Sequence, residues 1–170
     1  MFRSTPLAAR ESMAAGRKDT MGFTHLDRKG RPRMVDVGDK PQSRRMARAE
    51  GFIRLQPETI RLIKHRRIGK GNVLVTAELA GVQAAKHTPA LIPLCHPLLL
   101  SKIRVQVTLA AKGVSIATEV ACTGQTGVEI EALTAASVGL LTVYDMCKAV
   151  DHRMAITKIR LLQKKKGPEG

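Results

Sequence analysis

The 170-residue sequence predicts an α+β domain in which an antiparallel sheet carries helices on one face. Three observations predict it. Ile103, Val105, Val107 and Leu109 alternate with Arg104, Gln106 and Thr108, the period of a half-buried strand. Gly113 then marks a turn, and Val114–Cys122 returns as the partner of a hairpin. Val128–Val150 follows as a long Ala- and Leu-rich run of helical length.

Taken in order, residues 1–40 are rich in Gly, Pro, Arg and Asp with little periodicity. They read as a disordered extension over 1–23 and a loop-rich arm around Met34-Val35-Asp36-Val37. Regular structure is expected from about Glu50. Phe52-Ile53-Arg54-Leu55 is a short strand stopped by Pro57, which suits the first turn of a helix through about Arg66. Gly69-Lys70-Gly71 breaks that helix. Asn72 can cap a second one through about His87, although Val73 and Val75 leave strand open for its first turn. Pro93 and Pro97 make Leu91–Leu100 a rigid loop. Gly124–Gly127 ends the hairpin, and Ile156, Ile159 and Leu161 mark a last strand after the long helix. The order strand, two helices, two strands, helix, strand is the split βαβ, ferredoxin-like arrangement. The expected division is a single catalytic domain over 24–163 and a basic tail over 164–170.

Composition narrows the function. Lys and Arg number 29 against 14 Asp and Glu, a formal charge of +15. Residues 1–70 hold 18 of the basic side chains and seven of the acidic, whereas 71–157 hold six of each. The excess implies an anionic partner. Sequence-specific nucleic acid is disfavoured: Phe2, Phe23, Phe52 and Tyr144 are the only aromatics, too few and too scattered for a stacking platform. No run approaches 18 uncharged apolar residues, so no membrane span is expected. Cys95, Cys122 and Cys147 form no CxxC pair and suit a reducing, cytoplasmic compartment. No zinc-type spacing joins His25, His65, His87 and His152, so no metal is expected.

Several side chains could carry chemistry. Thr126-Gly127-Val128-Glu129 fits a capping box, a structural role for Glu129. Glu131 has no such duty. Positions 135, 138, 142 and 145 continue its face at helical spacing, which brings Asp145 to the same side some four turns later. Lys148 is three residues beyond Asp145, within contact range. The pair is either a surface ion pair or, on a helix apolar almost all round, a couple in a partly dry site fit for acid–base work. Cys95-His96, set between two prolines, offers a fixed imidazole for substrate contact or proton transfer. Lys70, between two glycines, and Lys86, near the end of the second helix, are either solvated charges or anion contacts. Neither GxxxxGK[ST] nor GxGxxG is present, so phosphates would have to be held by scattered side chains.

These pieces together resemble the cyclic pyranopterin monophosphate synthases, the molybdenum cofactor biosynthesis protein C family. The strings that carry the resemblance are Met34-Val35-Asp36-Val37, Ala80-Gly81-Val82-Gln83-Ala84-Ala85-Lys86, Leu91-Ile92-Pro93-Leu94-Cys95-His96-Pro97-Leu98, Thr126-Gly127-Val128-Glu129-Ile130-Glu131-Ala132-Leu133-Thr134 and Tyr144-Asp145-Met146-Cys147-Lys148-Ala149-Val150. They stand in family order between about Thr24 and Leu162. The resemblance implies a lyase that rearranges 3′,8-cyclo-7,8-dihydro-GTP to cyclic pyranopterin monophosphate with loss of diphosphate and without a redox cofactor. It implies a ferredoxin-like homohexamer, a trimer of dimers, with sites at subunit interfaces. By the same resemblance Asp145 and Lys148 are catalytic. Leu94, Cys95, His96, Ile130 and Glu131 contact substrate, and Lys70 and Lys86 are basic residues of the pocket. The chain departs from the family at Ile130, where Met is common, and at its end, where Lys164 keeps its place but Pro168 replaces a later Lys. Two other readings compete: a basic RNA-binding module, which lacks RNP-like strings, and a non-catalytic assembly subunit, which Asp145 and Lys148 speak against.

Overall fold

The structure is a computed structural model that describes residues 29–169. The extension expected over 1–23 lies outside these residues. The chain divides into two units, Met1–Arg33 and Met34–Gly170. Of the first, residues 29–33 are described, with a turn at Lys29-Gly30.

The second unit runs β1 (Ser43–Arg54), α1 (Pro57–Lys64), α2 (Val73–Lys86), α3 (Thr88–Leu91), β2 (Leu100–Ala110), β3 (Gly113–Gly124), α4 (Glu129–Cys147) and β4 (Ala155–Glu169). The strands form one antiparallel sheet in the order β2-β3-β1-β4. Helices α2 and α4 pack on each other and on one face of that sheet. This is the α+β arrangement expected from the sequence.

Side-chain alternation decides which face is covered. Along β1, Ala47, Ala49, Gly51 and Ile53 are buried under the helices, and Val114, Ile116, Thr118, Val120 and Cys122 do the same on β3. The inward residues of β1 are small because α4 passes close above them. A Cβ on Gly51 would lie 2.6 Å from Leu140 Cδ1. From α4, Ala132, Ala135, Ala136, Gly139, Leu140 and Val143 complete the contact. The opposite face is charged. There Glu119 accepts from Arg48 and Lys102, and Glu50 pairs with Lys158 and Arg160. Phe52 is the one aromatic side chain that the described sheet carries.

Several boundaries differ from the expected ones, each for a physical reason. Strand β1 begins at Ser43 and not near Glu50, because its alternation is of small against charged residues and shows little hydrophobic period. Strand β4 continues through Lys164–Lys166 to Glu169, so the run expected as a basic tail is paired with β1, Lys164 opposite Ala47 and Lys166 opposite Arg45. The capping box at Thr126 does not form. Val128 is the N-cap without a side-chain cap, and Glu129 instead pairs with Lys164 at 3.4 Å. Helix α4 stops at Cys147, three residues short of Val150. Asn72 does cap α2, its side chain accepting from Val75 N–H at 3.3 Å, so Val73 and Val75 are helical. The short α3 was not foreseen. Helix α4 is long and apolar enough to cross a membrane by length and composition, but half of it is buried within this fold as a core helix.

Gly113 makes the β2–β3 turn with φ 154, and a Cβ there would strike the carbonyl of Ile53 on β1. Gly113→Ala is expected to lower stability by about 3 kcal/mol through backbone strain and that clash. Urea denaturation should show a lower midpoint with an unchanged slope.

Candidate active site

The two ends of α4 carry two different clusters. At its C-terminal end Asp145 lies between two lysines. Its Oδ2 accepts from Lys70 Nζ at 2.7 Å, and its Oδ1 pairs with Lys148 Nζ at 2.8 Å. Lys70 also donates to the Asp145 backbone carbonyl at 2.9 Å. Lys148 arrives from the C-cap of the same helix, Lys70 from the turn between α1 and α2. The Lys148 and then the Lys70 hydrogen bonds hold the Asp145 carboxyl at about 2, and Asp145 pushes the Lys148 ammonium up in turn.

This cluster differs from the partly dry couple expected for Asp145 and Lys148. Their side chains are 55% and 58% exposed in the single chain. The reason is that α4 buries only the side facing the sheet and α2, and Leu141, Tyr144, Asp145 and Lys148 lie on the uncovered side. Charge here is held by three-way pairing and not by burial.

At the N-terminal end of α4 the character is opposite. Glu131 is 1% exposed. Its Oε1 accepts from the Cys95 thiol at 3.4 Å, and its Oε2 has no hydrogen-bond partner among the described residues. Burial pushes the Glu131 carboxyl above the usual range, Glu129 adding to the rise against the hydrogen bonds that lower it. Burial, then the Glu131 charge and hydrogen bond, push the Cys95 thiol up to about 12. The neighbouring His96 bonds through Nε2 to the carbonyl of Val35 at 2.8 Å. A carbonyl only accepts, so Nε2 carries the proton, and Nδ1 of the neutral ring is left as an acceptor. The arm around Met34–Val37 thus orients the imidazole. Ile130 is 40% exposed beside Glu131, and Leu94 is half-buried in the loop that precedes Cys95.

A third feature adjoins this end. A cavity of about 270 Å³ is lined by Arg45, Met46, Gly127, Glu129 and Lys164–Lys166. Arg45 is braced there by donating to the carbonyls of Gly124 and Gln125 at 3.4 and 3.2 Å. Sequence reasoning missed Arg45, because β1 was expected to begin beyond it. It also missed the Glu129–Lys164 pair, because Glu129 was read as a cap.

The structure therefore brings Lys70 together with Asp145 and Lys148, and Cys95 together with Glu131. It does not bring the two groups together. Glu131 and Asp145 are 14 residues apart on one helix, about 21 Å at 1.5 Å per residue. Lys86 is exposed in the last turn of α2 and has no carboxylate partner among the described residues. No group of three or more His, Cys, Asp or Glu suited to a metal occurs among the described residues.

Fold and clusters define an α+β domain with carboxyl and basic side chains gathered at the two ends of one helix and, among the described residues, only Phe52 and Tyr144 as aromatic rings. The chain belongs to the MoaC family, whose model matches residues 34–167. It is similar to two curated proteins named cyclic pyranopterin monophosphate synthase, from Methylobacterium sp. (strain 4-46) and Methylobacterium nodulans. Each is 58% identical over 150 residues, which cover 87% of this chain and 94% of the relative.

The buried Glu131 makes a testable stability signature. Its folded-state pKa lies above the unfolded one, so folding favours the protonated form and stability falls as pH rises through the carboxylate range. Glu131→Gln removes this penalty. The variant is expected to melt at or above wild type at about pH 8 and to lose that advantage at about pH 3, where the carboxyl is protonated in both states. Thermal melts across that range check it.

Proposed function

We propose that this chain is a cyclic pyranopterin monophosphate synthase, a lyase of molybdenum cofactor biosynthesis that converts 3′,8-cyclo-7,8-dihydro-GTP to cyclic pyranopterin monophosphate and diphosphate. Membership of the MoaC family and the relatives' names support the reading. The observation that carries it to particular residues is the Lys70–Asp145–Lys148 cluster at the end of α4.

The geometry divides the work. Rearranging the purine to a pterin moves several protons. A carboxyl held at about 2 accepts a proton poorly near neutrality, so Asp145 serves as the anion that aims two ammonium groups. Lys148 and Lys70 are then the proton donors and the positive charge of the site. His96, held by Val35, presents Nδ1 as an acceptor. Glu131, Cys95, Leu94 and Ile130 form the binding wall, the buried Glu131 standing behind Cys95 and accepting from its thiol. In the closing step a substrate hydroxyl oxygen bonds to the α-phosphorus, the bond to the terminal diphosphate breaks, and the hydroxyl proton passes to a base. Arg45 and Lys164–Lys166 offset the departing charge. Lys86 is left as an outer basic contact. Lys70, being committed to Asp145, is a weaker candidate for phosphate than the sequence suggested.

The 14-residue separation of Glu131 and Asp145 exceeds what one nucleotide-sized molecule bridges. The site is thus completed by a second copy, whose α4 brings its C-terminal end to the first copy's N-terminal end. The exposed Leu79, Leu141 and Tyr144 on the helical layer fit an interface. A homohexamer built from such dimers, working in the cytoplasm where Cys95, Cys122 and Cys147 stay reduced, is the assembly proposed.

Incubation with the cyclo-GTP substrate should release diphosphate and yield a product that oxidises to a fluorescent pterin. Asp145→Asn and Lys148→Ala are each expected to lower turnover by about 100-fold or more with the fold intact by circular dichroism. Near wild-type turnover in either would overturn the assignment. Mixing Asp145→Asn chains with Glu131→Gln chains, after dissociation and reassembly, should recover up to about a quarter of wild-type activity, since half the dimers are mixed and each then holds one intact site. No recovery would mean that each site belongs to one chain.

A further inference from the structure

Asp151 lies four residues past the end of α4 and is 2% exposed, yet the chemistry above makes no use of it. Its Oδ2 accepts from the Gln56 N–H at 2.8 Å and from the Thr59 hydroxyl at 3.0 Å. Its Oδ1 accepts from the Arg153 N–H at 2.9 Å, and its own N–H donates to the Cys147 carbonyl at 3.0 Å. Thr59 is itself 1% exposed. One carboxylate thus joins the start of α1, the end of α4 and the approach to β4. Gln56 is the N-cap of α1 and makes no side-chain cap of its own. Asp151, 95 residues away, holds the N–H of that N-cap residue and brings the sign of charge that a helix N-terminus favours.

What α1 leads to gives this tether its meaning. The helix runs into the turn that carries Lys70, and the turn is held in shape. Arg66 takes φ 54, the Arg67 N–H donates to the Leu62 carbonyl at 2.9 Å, and the Gly71 N–H donates to the Ile68 carbonyl at 3.0 Å, with Ile68 7% exposed. The segment from Gln56 to Lys70 is therefore fastened to the end of α4 at both of its ends, by Asp151 at the first and by the Lys70–Asp145 contact at the second.

We propose that Asp151 is a positioning residue for the α4 site: by fastening α1 to the end of α4 it sets where Lys70 Nζ meets Asp145. Burial pushes the Asp151 carboxyl up, but the Gln56 and Arg153 amides and the Thr59 hydroxyl outweigh it and hold the group below its usual range, with His152 adding to this. Cys147 also faces Asp151, its thiol pushed up to about 11 by burial and then by that charge. Asp151 is thus an anion near neutrality, and Asp151→Asn exchanges one accepting oxygen for an NH₂ that meets other donors. Ile63 and its neighbours Ile60 and Leu62 keep α1 on the core, so the loss is expected to shift the arm without unfolding it.

The effect on turnover rests on the proposed reaction, but the geometry can be read without it. The Asp145 carboxyl is followed by carbon-13 NMR from neutral pH downwards in wild type, Asp151→Asn, Lys70→Ala and the double variant. In wild type its midpoint is expected at about 2. Asp151→Asn is expected to raise that midpoint in the same direction as Lys70→Ala, and the double variant to match Lys70→Ala alone. In parallel, kcat in Asp151→Asn should fall about tenfold with KM little changed, and the double variant should fall no further than Lys70→Ala alone. An Asp145 midpoint unmoved by Asp151→Asn, or shifts that add in the double variant, overturns the proposal. Thr59→Val, which removes one hydrogen bond of the tether, decides the same question if Asp151→Asn does not fold: a smaller shift, absent in the Lys70→Ala background, supports the tether, and an unmoved midpoint overturns it. The carboxyl titration decides alone, and absent turnover in wild type would count against the proposed reaction instead.

Discussion

The close approach of α4 to β1 is the constraint on which the rest of the structure depends. Where they meet, Gly51 leaves room for Leu140, since a Cβ there would lie 2.6 Å from Leu140 Cδ1, and on the helix Gly139 does the same for Ile116 of β3 and the Ala77 carbonyl of α2. Close packing is costly to perturb, since the neighbours cannot yield far. It fixes where α4 lies on the sheet, and with it where its two ends fall. Each end then collects its own chemistry. The N-terminal end lies against the loop of Cys95 and His96 and against β4. The C-terminal end meets the α1–α2 turn. That one helix presents a buried, cation-free carboxyl at one end and a solvent-exposed, doubly paired carboxylate at the other follows from this placement.

The two carboxyl groups illustrate how environment divides one functional group into two tools. Glu131 is driven up by burial, Asp145 down by two ammonium groups. A site that used both would hold a proton-rich group and a firmly ionised one within reach of a single ligand. Within one chain they are separated by four turns of helix, and under the proposed function the two are brought together between chains. The same reasoning accounts for the exposed apolar residues on the helical layer, which a lone chain would leave in water.

Much of this was legible in the sequence, and the parts that were not share a cause. The β2–β3 hairpin showed itself because Ile103–Leu109 alternates apolar with polar. Strand β1 did not, because a close helix demands Ala and Gly on its inner face, and these carry no hydrophobic signal. Strand β4 was cut short at the lysines, since an edge strand with a solvent-facing row tolerates charges that look like a tail. Helical spacing placed Asp145 beside Lys148 correctly but could not supply Lys70, which comes from 75 residues away. Nor could it say how dry the pair is, because exposure depends on which side of α4 the sheet and α2 leave open. Asp151 carried no motif at all; its role is visible only once α1 and the end of α4 are seen to share it.

Under the proposed function the working site exists only between copies of the chain. Specific activity measured over a dilution series, alongside mass photometry of the same samples, tests it most directly. Activity per chain should fall in step with the assembled fraction as the protein dissociates, and return on concentration. A dissociated chain that keeps full activity per molecule would contradict the account, because Glu131 and Asp145 would then have to serve one substrate from opposite ends of the same helix.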